Sequence, residues 1–207
     1  MRLKKEQRRS MLLDRAIELF AENGFEASTH KLADALGVTQ PLIYRYFATK
    51  EKLLEAVYSS ILEDHFSEEW TQLISDRARP LKERLIDFYK AFGRATRSRT
   101  WLRLYLYAGL KGRELNMKYI ELLMTNIILV IAHEVRHELK LPDPMEVPIK
   151  AEELEVIWNL HNGLFYYGVR DLVFEVPDMP NYDLSVSRII TVFLSGYSSQ
   201  FDDAASA

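Results

Sequence analysis

Apolar residues recur along this chain at intervals of three and four positions almost from end to end. That spacing places them on one face of an α-helix, whereas the alternation of apolar and polar positions that is typical of strands is scarce. The pattern therefore predicts an all-α protein with about nine helices. The longer predicted helices cover approximately residues 5–22, 50–66, 80–98, 100–110, 113–141, 152–174 and 184–200.

Glycine, proline and short polar residues mark where the predicted helices begin and end. Gly24 and Gly37 follow apolar helical stretches, and glycine takes the left-handed conformation that ends a helix at little cost. The predicted N-caps of the next three helices are Thr29, Thr39 and Thr49. Proline lacks the amide hydrogen that a helix interior requires, so two proline-rich stretches are predicted to be loops. These are residues 141–148 and 176–183.

The composition is that of an ordinary soluble protein, because 48% of the 207 residues are hydrophobic and 28% are charged. The sequence contains no cysteine, which excludes disulfides, thiolate metal sites and cysteine nucleophiles. It has neither the apolar segment of a signal peptide nor a run of about 18 apolar residues that would span a bilayer. We therefore expect a cytoplasmic protein without a membrane partner.

The net charge of −3 is unevenly distributed. Residues 1–52 contain ten Lys and Arg against seven Asp and Glu, a net charge of +3, and the remainder has a net charge of −6. The first 15 residues are especially basic, with Arg2, Lys4, Lys5, Arg8, Arg9 and Arg15. A basic N-terminal segment on an acidic body indicates a polyanionic partner, although a simply solvated segment is the alternative.

Two short predicted helices joined by a turn that contains glycine occupy residues 29–47, THKLADALGVTQPLIYRYF. Ala33 and Gly37 are small where the two helices cross, and neighbouring apolar residues supply a small core against the first helix. These are the dimensions of a helix-turn-helix, the motif that inserts its second helix into the major groove of DNA. Spacing alone leaves an ordinary corner between two helices open as the alternative.

Residues 24–54, GFEASTHKLADALGVTQPLIYRYFATKEKLL, closely resemble the signature of the tetracycline-repressor (TetR) family of bacterial transcriptional regulators. The matching positions are Gly24-Phe25, Thr29, Leu32-Ala33, Leu36-Gly37-Val38, Tyr44, Tyr46-Phe47, Lys50-Glu51 and Leu53-Leu54. The resemblance implies a DNA-binding domain at residues 1–49 and a ligand-binding and dimerisation domain at residues 50–207, with helix 50–66 as the connector. It implies a ligand-responsive regulator, in the first place a repressor, rather than an enzyme, and no cofactor.

The resemblance also implies roles for individual residues in binding a double-stranded operator. Thr39, Gln40 and Pro41 begin the recognition helix, where Gln40 is expected to pair with adenine and Pro41 to touch a thymine methyl group. The expected phosphate contacts are Thr29, Tyr44, Tyr46 and Lys50. Arg45 is expected to reach either a guanine or the backbone. His30 departs from the family pattern and is either a base-reading residue or an exposed histidine.

The rest of the chain is expected to bind a small-molecule effector and a second subunit. The predicted helices 152–174 and 184–200 are apolar on more than one face, which favours a homodimer through these helices over burial within one subunit. Aromatic and polar side chains are mixed along the middle helices in the way that ligand pockets require, although plain core packing is the alternative for each residue. The candidate pocket residues are Trp101, Tyr105, Leu123, Ile127, Trp158, His161, Asn162, Phe165 and Tyr166.

The string HEVRH at residues 133–137 raises an alternative function. Two histidines at i and i+4 with an intervening glutamate are how zinc peptidases hold their metal and general base. His133, Glu134 and His137 therefore suggest a metal-sensing regulator or, less favoured, a peptidase. The competing explanation is that cationic side chains complement the carbonyl end of a long helix. The sequence decides neither this question nor the effector, the operator, the target genes and the direction of regulation.

Overall fold

The structure, a computed structural model, describes residues 5–63, 67–111 and 113–202. Every regular element in those ranges is helical, which confirms the predicted all-α class. The α-helices are α1 (Lys5–Asn23), α2 (Thr29–Leu36), α3 (Gln40–Tyr46), α4 (Lys50–Tyr58), α5 (Glu68–Ser75), α6 (Leu81–Thr96), α7 (Arg99–Lys111), α8 (Arg113–Leu123), α9 (Leu129–Glu138), α10 (Ala151–Gly168) and α11 (Tyr182–Asp202).

Three helices continue into a π-helical turn of five residues. These turns are Ser59–Glu63 after α4, Met124–Ile128 between α8 and α9, and Val169–Val173 after α10. The helix predicted over residues 113–141 is therefore α8, a π turn and α9 in continuity, and it ends at Glu138. Residues 64–66, which belong to the predicted fourth helix, lie outside the described residues.

Two local predictions are corrected by the structure. Helix α5 was absent from the sequence prediction, and it begins at the N-cap Ser67, whose side chain accepts a hydrogen bond from the amide of Glu69. The N-cap of α2 is Ser28 rather than Thr29, because the Ser28 side chain accepts from the amide of Lys31. The predicted glycine stops are confirmed, since Gly24 and Gly37 have φ angles of 73° and 61°.

The helices pack into two compact units that do not follow the order of the chain. The first unit comprises residues 1–66 and 98–119, and the second comprises residues 67–97 and 120–207. The helix-turn-helix segment thus shares a unit with α7 and the beginning of α8. The predicted division at residues 49 and 50 is a division by function and stays a prediction.

In the first unit, α7 holds the end of α1. The Arg103 guanidinium donates from Nε to the carbonyl of Ala21 (2.5 Å) and from Nη2 to the carbonyl of Glu22 (3.1 Å). Carbonyl groups in the last turn of a helix have no intrahelical partner, so a cationic side chain satisfies them well. The Trp101 indole also donates to the carbonyl of Ile61 (3.0 Å), which fastens α7 to the π turn after α4.

The second unit contains two buried ion pairs within an otherwise apolar core. Glu134 on α9 accepts hydrogen bonds from Arg84 (2.8 Å) and Arg77 (2.9 Å). Arg136 donates to both carboxylate oxygens of Glu153, at 2.8 and 2.6 Å. Such pairs are tolerated in a core only when each partner is fully hydrogen-bonded. Arg136 meets that condition through the proline loop, since it also donates to the backbone carbonyls of Pro142, Val147 and Pro148.

Gly93 in α6 is required by the close approach of α11. A Cβ atom at this position would lie 2.4 Å from the ring of Tyr182, which is buried and donates its hydroxyl to the carbonyl of Tyr89. We expect Gly93→Ala to lower the free energy of unfolding by about 1–3 kcal/mol, the usual cost of overpacking. Urea denaturation followed by circular dichroism measures this change.

The matched control is Gly163→Ala in α10, where an added Cβ would meet no atom within 4 Å. Removing a helical glycine there is expected to leave stability unchanged or to raise it by up to about 1 kcal/mol. Equal urea midpoints for the two variants would show that the contact between Gly93 and Tyr182 does not limit the packing of α6 on α11.

Among the described residues, no single helix is long and apolar enough to cross a lipid bilayer. One bent pair of helices, Arg99–Lys111 with Asn116–Glu138, meets the requirement by length and composition alone.

Candidate nucleic-acid interface

Helix α3, the predicted recognition helix, rests on a small apolar core within the first unit. Leu12 and Phe20 of α1, Leu32 of α2 and Ile43 of α3 are fully buried. Phe47 directly after α3 is also buried, and the Arg9 guanidinium lies 4.9 Å above its ring. Apolar side chains thus fix three helices against one another, which leaves the opposite face of α3 for a partner.

The turn between α2 and α3 has the hydrogen bonds of a glycine-ended helix. The amide of Gly37 donates to the carbonyl of Asp34 (3.1 Å), and the amide of Val38 donates to the carbonyl of Ala33 (2.9 Å). Gly37 is in the left-handed conformation that this motif requires. The turn directs the chain into α3, which begins at Gln40 with Thr39 as its N-cap.

Three of the predicted DNA-binding residues form one hydrogen-bonded chain. Gln40 Nε2 donates to Thr29 Oγ1 at 2.7 Å, and Thr29 Oγ1 lies 3.0 Å from the hydroxyl of Tyr44. Thr29 is only 3% exposed, whereas Tyr44 is 38% exposed. The structure therefore gives Thr29 a buried position against α3 and presents Tyr44 at the surface.

The remaining predicted contacts lie at or near the surface of the same region. Thr39, Pro41 and Arg45 are exposed, and Tyr46 and Lys50 are half-buried. His30 is exposed, and its Nδ1 lies 2.9 Å from a carboxylate oxygen of Asp34 one helical turn later. These positions agree with a role in binding DNA, which stays a prediction for every residue named.

The N-terminus of α4 is organised by its cap and by neighbouring charges. The Thr49 hydroxyl accepts a hydrogen bond from the amide of Lys52, as the sequence predicted for this cap. The carboxylate of Glu26 lies 2.6 Å from Lys111 Nζ. The hydrogen bond and charge of Lys111, with a smaller contribution from Lys50, lower the pKa of Glu26 below its ordinary value. Lys50 therefore lies near the carboxylate of Glu26, whose hydrogen-bond partner is Lys111.

A basic groove next to α3 was not predicted residue by residue. It has a volume of about 680 Å³, and most of its charged lining residues are cationic. The lining residues are Arg9, Tyr46, Phe47, Ala48, Lys52, Glu55, Ala56, Tyr58, Ser59 and Lys118. In the sequence, the groove was indicated by the basic N-terminal segment, which supplies Arg9 to its lining. Two other residues of that segment, Arg2 and Lys4, lie outside the described residues.

The predicted pocket residues are divided between the two units. Trp101 and Tyr105 belong to the first unit, where their rings stack with centroids 5.3 Å apart. The others belong to the second unit, where Leu123, Ile127 and His161 are buried. Trp158 and Phe165 are half-buried, and Asn162 and Tyr166 are exposed.

His161 lies in an aromatic environment within the second unit. Its ring centroid is 5.2 Å from that of Phe92, 5.9 Å from Trp158 and 6.0 Å from Tyr89. Burial lowers the pKa of His161 to about 4, so the side chain is neutral at pH 7. His161 Nδ1 and the Tyr89 hydroxyl are buried without a hydrogen-bond partner among the described residues. Buried polar atoms of this kind call for a ligand, a water molecule or another explanation.

The HEVRH string does not form a metal site in the described part of the chain. His133 and His137 are exposed, but Glu134 is directed inward to Arg84 and Arg77. A general base must be free to accept a proton, whereas this carboxylate accepts hydrogen bonds from two guanidinium groups. The described residues contain no group of three or more His, Cys, Asp or Glu side chains that would hold a metal ion. The metal-binding alternative therefore has no support.

Comparisons with known proteins match the N-terminal region to a family and the whole chain to a fold. Residues 12–57 match the model of the bacterial regulatory proteins of the tetR family. The chain is 40% identical over 63 residues to the HTH-type transcriptional repressor KstR2 of Rhodococcus jostii, covering 30% of this chain and 31% of that protein. It is 31% identical over 88 residues to the class D tetracycline repressor protein of Escherichia coli, covering 39% and 40%.

These alignments therefore span less than half the length of either relative. Among solved structures, a TetR-like transcriptional regulator from Rhodococcus sp. RHA1 superimposes with a TM-score of 0.69. It shares 18% sequence identity, and the alignment covers 95% of this chain and 99% of that one. At 18% identity the likeness establishes the fold of the second unit, but it does not show what that unit binds. Residues 12–57 thus match the tetR family of bacterial regulatory proteins, and the chain has the fold of a solved TetR-like regulator over nearly its whole length.

Proposed function

We propose that the protein is a ligand-responsive transcriptional regulator, in the first place a repressor, that binds a palindromic DNA operator as a homodimer in the bacterial cytoplasm. The observation that carries this proposal is that α3 is anchored by a buried residue and that two of its polar side chains are held by hydrogen bonds. Its Ile43 side chain is fully buried, and its Gln40 and Tyr44 side chains are held by hydrogen bonds to Thr29 of α2. A recognition helix needs both features, a rigid support and oriented polar groups.

The homodimer is proposed to form through α10 and α11. Both helices carry exposed apolar side chains on the surface of the second unit, including Tyr166 (51% exposed) and Val192 (72% exposed). Gly196 leaves open space on α11, which permits a close approach of another helix. A symmetric dimer places two recognition helices about 34 Å apart, one turn of DNA, as a palindromic operator requires.

The effector is proposed to bind in the second unit near His161. A largely apolar molecule with a hydroxyl or carbonyl group would satisfy the unpartnered atoms of His161 and Tyr89. Because burial keeps this histidine neutral, the site favours an uncharged polar group over an anion. The effector then stabilises a conformation in which α4 has pivoted and the recognition helices no longer match the operator, so effector and operator weaken each other's binding.

The test of the proposed function is to select bound duplexes from a random DNA library with the full-length protein and to measure their affinity by gel shift at several salt concentrations. We expect a palindromic sequence whose affinity falls steeply with salt, because each neutralised phosphate releases counterions. Lys50→Ala is expected to weaken binding to all sequences and to reduce the salt slope by about one. The control is Lys82→Ala, an exposed lysine of the second unit, which should change neither.

Failure to enrich any sequence would overturn the proposed function. If a sequence is enriched, transcription in vitro from a promoter that contains it distinguishes repression from activation. Small molecules that raise the melting temperature of the protein are then tested for release of the DNA.

A further inference from the structure

Thr29 lies at an unusual place for a residue expected to contact phosphate. The residue is 3% exposed, and its hydroxyl oxygen is within hydrogen-bond distance of both Gln40 and Tyr44. A buried hydroxyl with two side-chain partners is occupied by them and does not face the solvent, where a DNA backbone would lie. The Thr29 hydroxyl is therefore engaged with its neighbours in this structure.

We infer that Thr29 is a specificity-determining positioning residue, which orients the Gln40 amide for reading adenine and couples that orientation to the phosphate contact of Tyr44. The inference rests on the proposed function, since it presumes that α3 enters the major groove. It goes further than that function because it assigns the base preference at one operator position to a residue that does not itself read a base.

Either hydroxyl can donate in the contact between Thr29 and Tyr44, and we assign the donated hydrogen to Thr29 as part of the same inference. Gln40 Nε2 donates to Thr29 Oγ1, so that oxygen is an acceptor in the first bond. Thr29 has a single hydroxyl hydrogen, and the Tyr44 oxygen at 3.0 Å is placed to accept it. The Tyr44 hydroxyl hydrogen is then left to donate outward. Since Tyr44 is 38% exposed, a phosphate oxygen can receive that hydrogen.

The same directions decide what Gln40 presents to a base. A glutamine amide has two hydrogens and one oxygen, and Thr29 takes one of the hydrogens. When Thr29 accepts the amide hydrogen that is trans to Oε1, the other hydrogen and Oε1 form a donor and acceptor pair on one edge of the amide. Adenine presents the complementary pair in the major groove, an acceptor at N7 and a donor at N6. Thr29 thus holds the amide in the orientation that matches adenine.

Loss of the threonine hydroxyl would free the Gln40 amide to rotate. The rotated amide would place its oxygen opposite the acceptor N7 of adenine and its nitrogen opposite the donor N6. The two patterns would then no longer match, and discrimination between bases would weaken. Loss of the Tyr44 hydroxyl should have a related effect, because Thr29 would then donate its hydrogen to Gln40 Oε1 and turn the amide around. Base preference and phosphate contact are therefore linked through one buried hydroxyl.

The experiment measures base preference rather than affinity alone. The wild-type protein first selects its operator from a random duplex library, and Gln40→Ala identifies the position that Gln40 reads. Competition gel shifts then compare duplexes with each of the four bases at that position. The variants are Thr29→Val, which keeps the size of the side chain, Thr29→Ser, which keeps the hydroxyl, and Tyr44→Phe.

We expect Thr29→Val to lose about the same adenine preference as Gln40→Ala, in the range of about tenfold to a hundredfold that a bidentate contact provides. The double variant Thr29→Val with Gln40→Ala should be no less selective than Gln40→Ala alone. Thr29→Ser should retain the preference, and Tyr44→Phe should lose it together with affinity. Lys50→Ala is the control for a simple phosphate contact, since it should lower affinity equally for all four bases.

The inference is overturned if Thr29→Val keeps the wild-type preference, if Thr29→Ser loses it as fully as Thr29→Val, or if Gln40→Ala alters the preference at no position. A merely structural role for Thr29 would instead lower the melting temperature and reduce the affinity for all four bases equally, which also overturns it. If the wild-type protein enriches no sequence, the proposed function itself fails, and the two failures are thereby distinguished.

Discussion

Replacing Glu134 with alanine is expected to lower the free energy of unfolding by about 3–5 kcal/mol, the largest stability effect that we predict for a single substitution in this chain. The carboxylate is almost fully buried and accepts hydrogen bonds from Arg84 and Arg77. The Arg84 side chain is only 2% exposed, so without Glu134 its charge would remain in the core with no counter-charge. Arg84 would keep its hydrogen bonds to the carbonyls of Ile74 and Arg79, which are not sufficient to neutralise it.

The control for Glu134→Ala is His133→Ala, the preceding residue in the same helix. His133 is exposed, so its replacement should change the free energy of unfolding by less than about 0.5 kcal/mol. A second variant, Arg84→Met with Glu134→Leu, should recover most of the loss, since an apolar pair can replace a buried ion pair at little cost. Urea denaturation at fixed protein concentration measures all three. A Glu134→Ala midpoint equal to that of His133→Ala would show that the ion pair does not stabilise the second unit.

The same carboxylate should contribute to the acid sensitivity of the protein. Burial raises the pKa of Glu134, but the hydrogen bonds and charges of Arg77 and Arg84 outweigh burial and hold the pKa below the ordinary value of 4.5. A lowered pKa means that the stabilisation is complete above pH 4.5 and is lost as the pH falls through the lowered value. The melting temperature of the wild-type protein should therefore fall more steeply below pH 4.5 than that of Glu134→Ala.

The HEVRH string shows why a local motif can mislead. Spacing within a helix predicts which side chains share a face, but it says nothing about what the rest of the fold places against that face. Arg84 lies 50 positions before Glu134 in the sequence, and only tertiary packing brings the two together. The histidines that suggested a metal site are solvent-exposed, and the glutamate between them is a structural residue.

The helix-turn-helix was predictable for the opposite reason, because its determinants are local. Gly24 and Gly37 have the left-handed conformation that their positions indicated, and the small core of α1, α2 and α3 follows directly from apolar spacing. Even here the sequence did not predict the hydrogen bond from Gln40 to Thr29 across the turn. It also did not predict the π-helical turns, since one inserted residue per turn leaves no mark in apolar periodicity.

For the second unit, the sequence predicted the all-α class but neither every helix nor which side chains meet. Helix α5 was missed, although Ser67 followed by Glu68 and Glu69 is a recognisable helix start. Trp101 and Tyr105 look like pocket residues by composition, yet they pack in a different compact unit from His161. Amphipathic composition indicates that side chains are buried together in general, but it does not identify which ones meet.

Replacing Val192 with arginine is expected to dissociate the proposed homodimer and to reduce operator affinity by about 10²–10⁴-fold, the usual advantage of two linked binding sites. Val192 is 72% exposed on α11, and the nearby Gly196 leaves space beside it. A charged side chain at an apolar contact between two subunits would be desolvated without a partner. Within one subunit Val192 is largely solvated, so the variant should fold with an unchanged melting temperature when measured as a monomer.

The matched control is Leu110→Arg, the same exchange of an exposed aliphatic residue for arginine. Leu110 is 85% exposed on α7, which belongs to the first unit. Sedimentation velocity should show a monomer for Val192→Arg and a dimer for Leu110→Arg and the wild type. The monomer should still bind single half-sites weakly, with the base preference of the wild type, because α3 is intact. A Val192→Arg protein that remains dimeric and binds the operator with wild-type affinity would place the subunit interface elsewhere on the second unit.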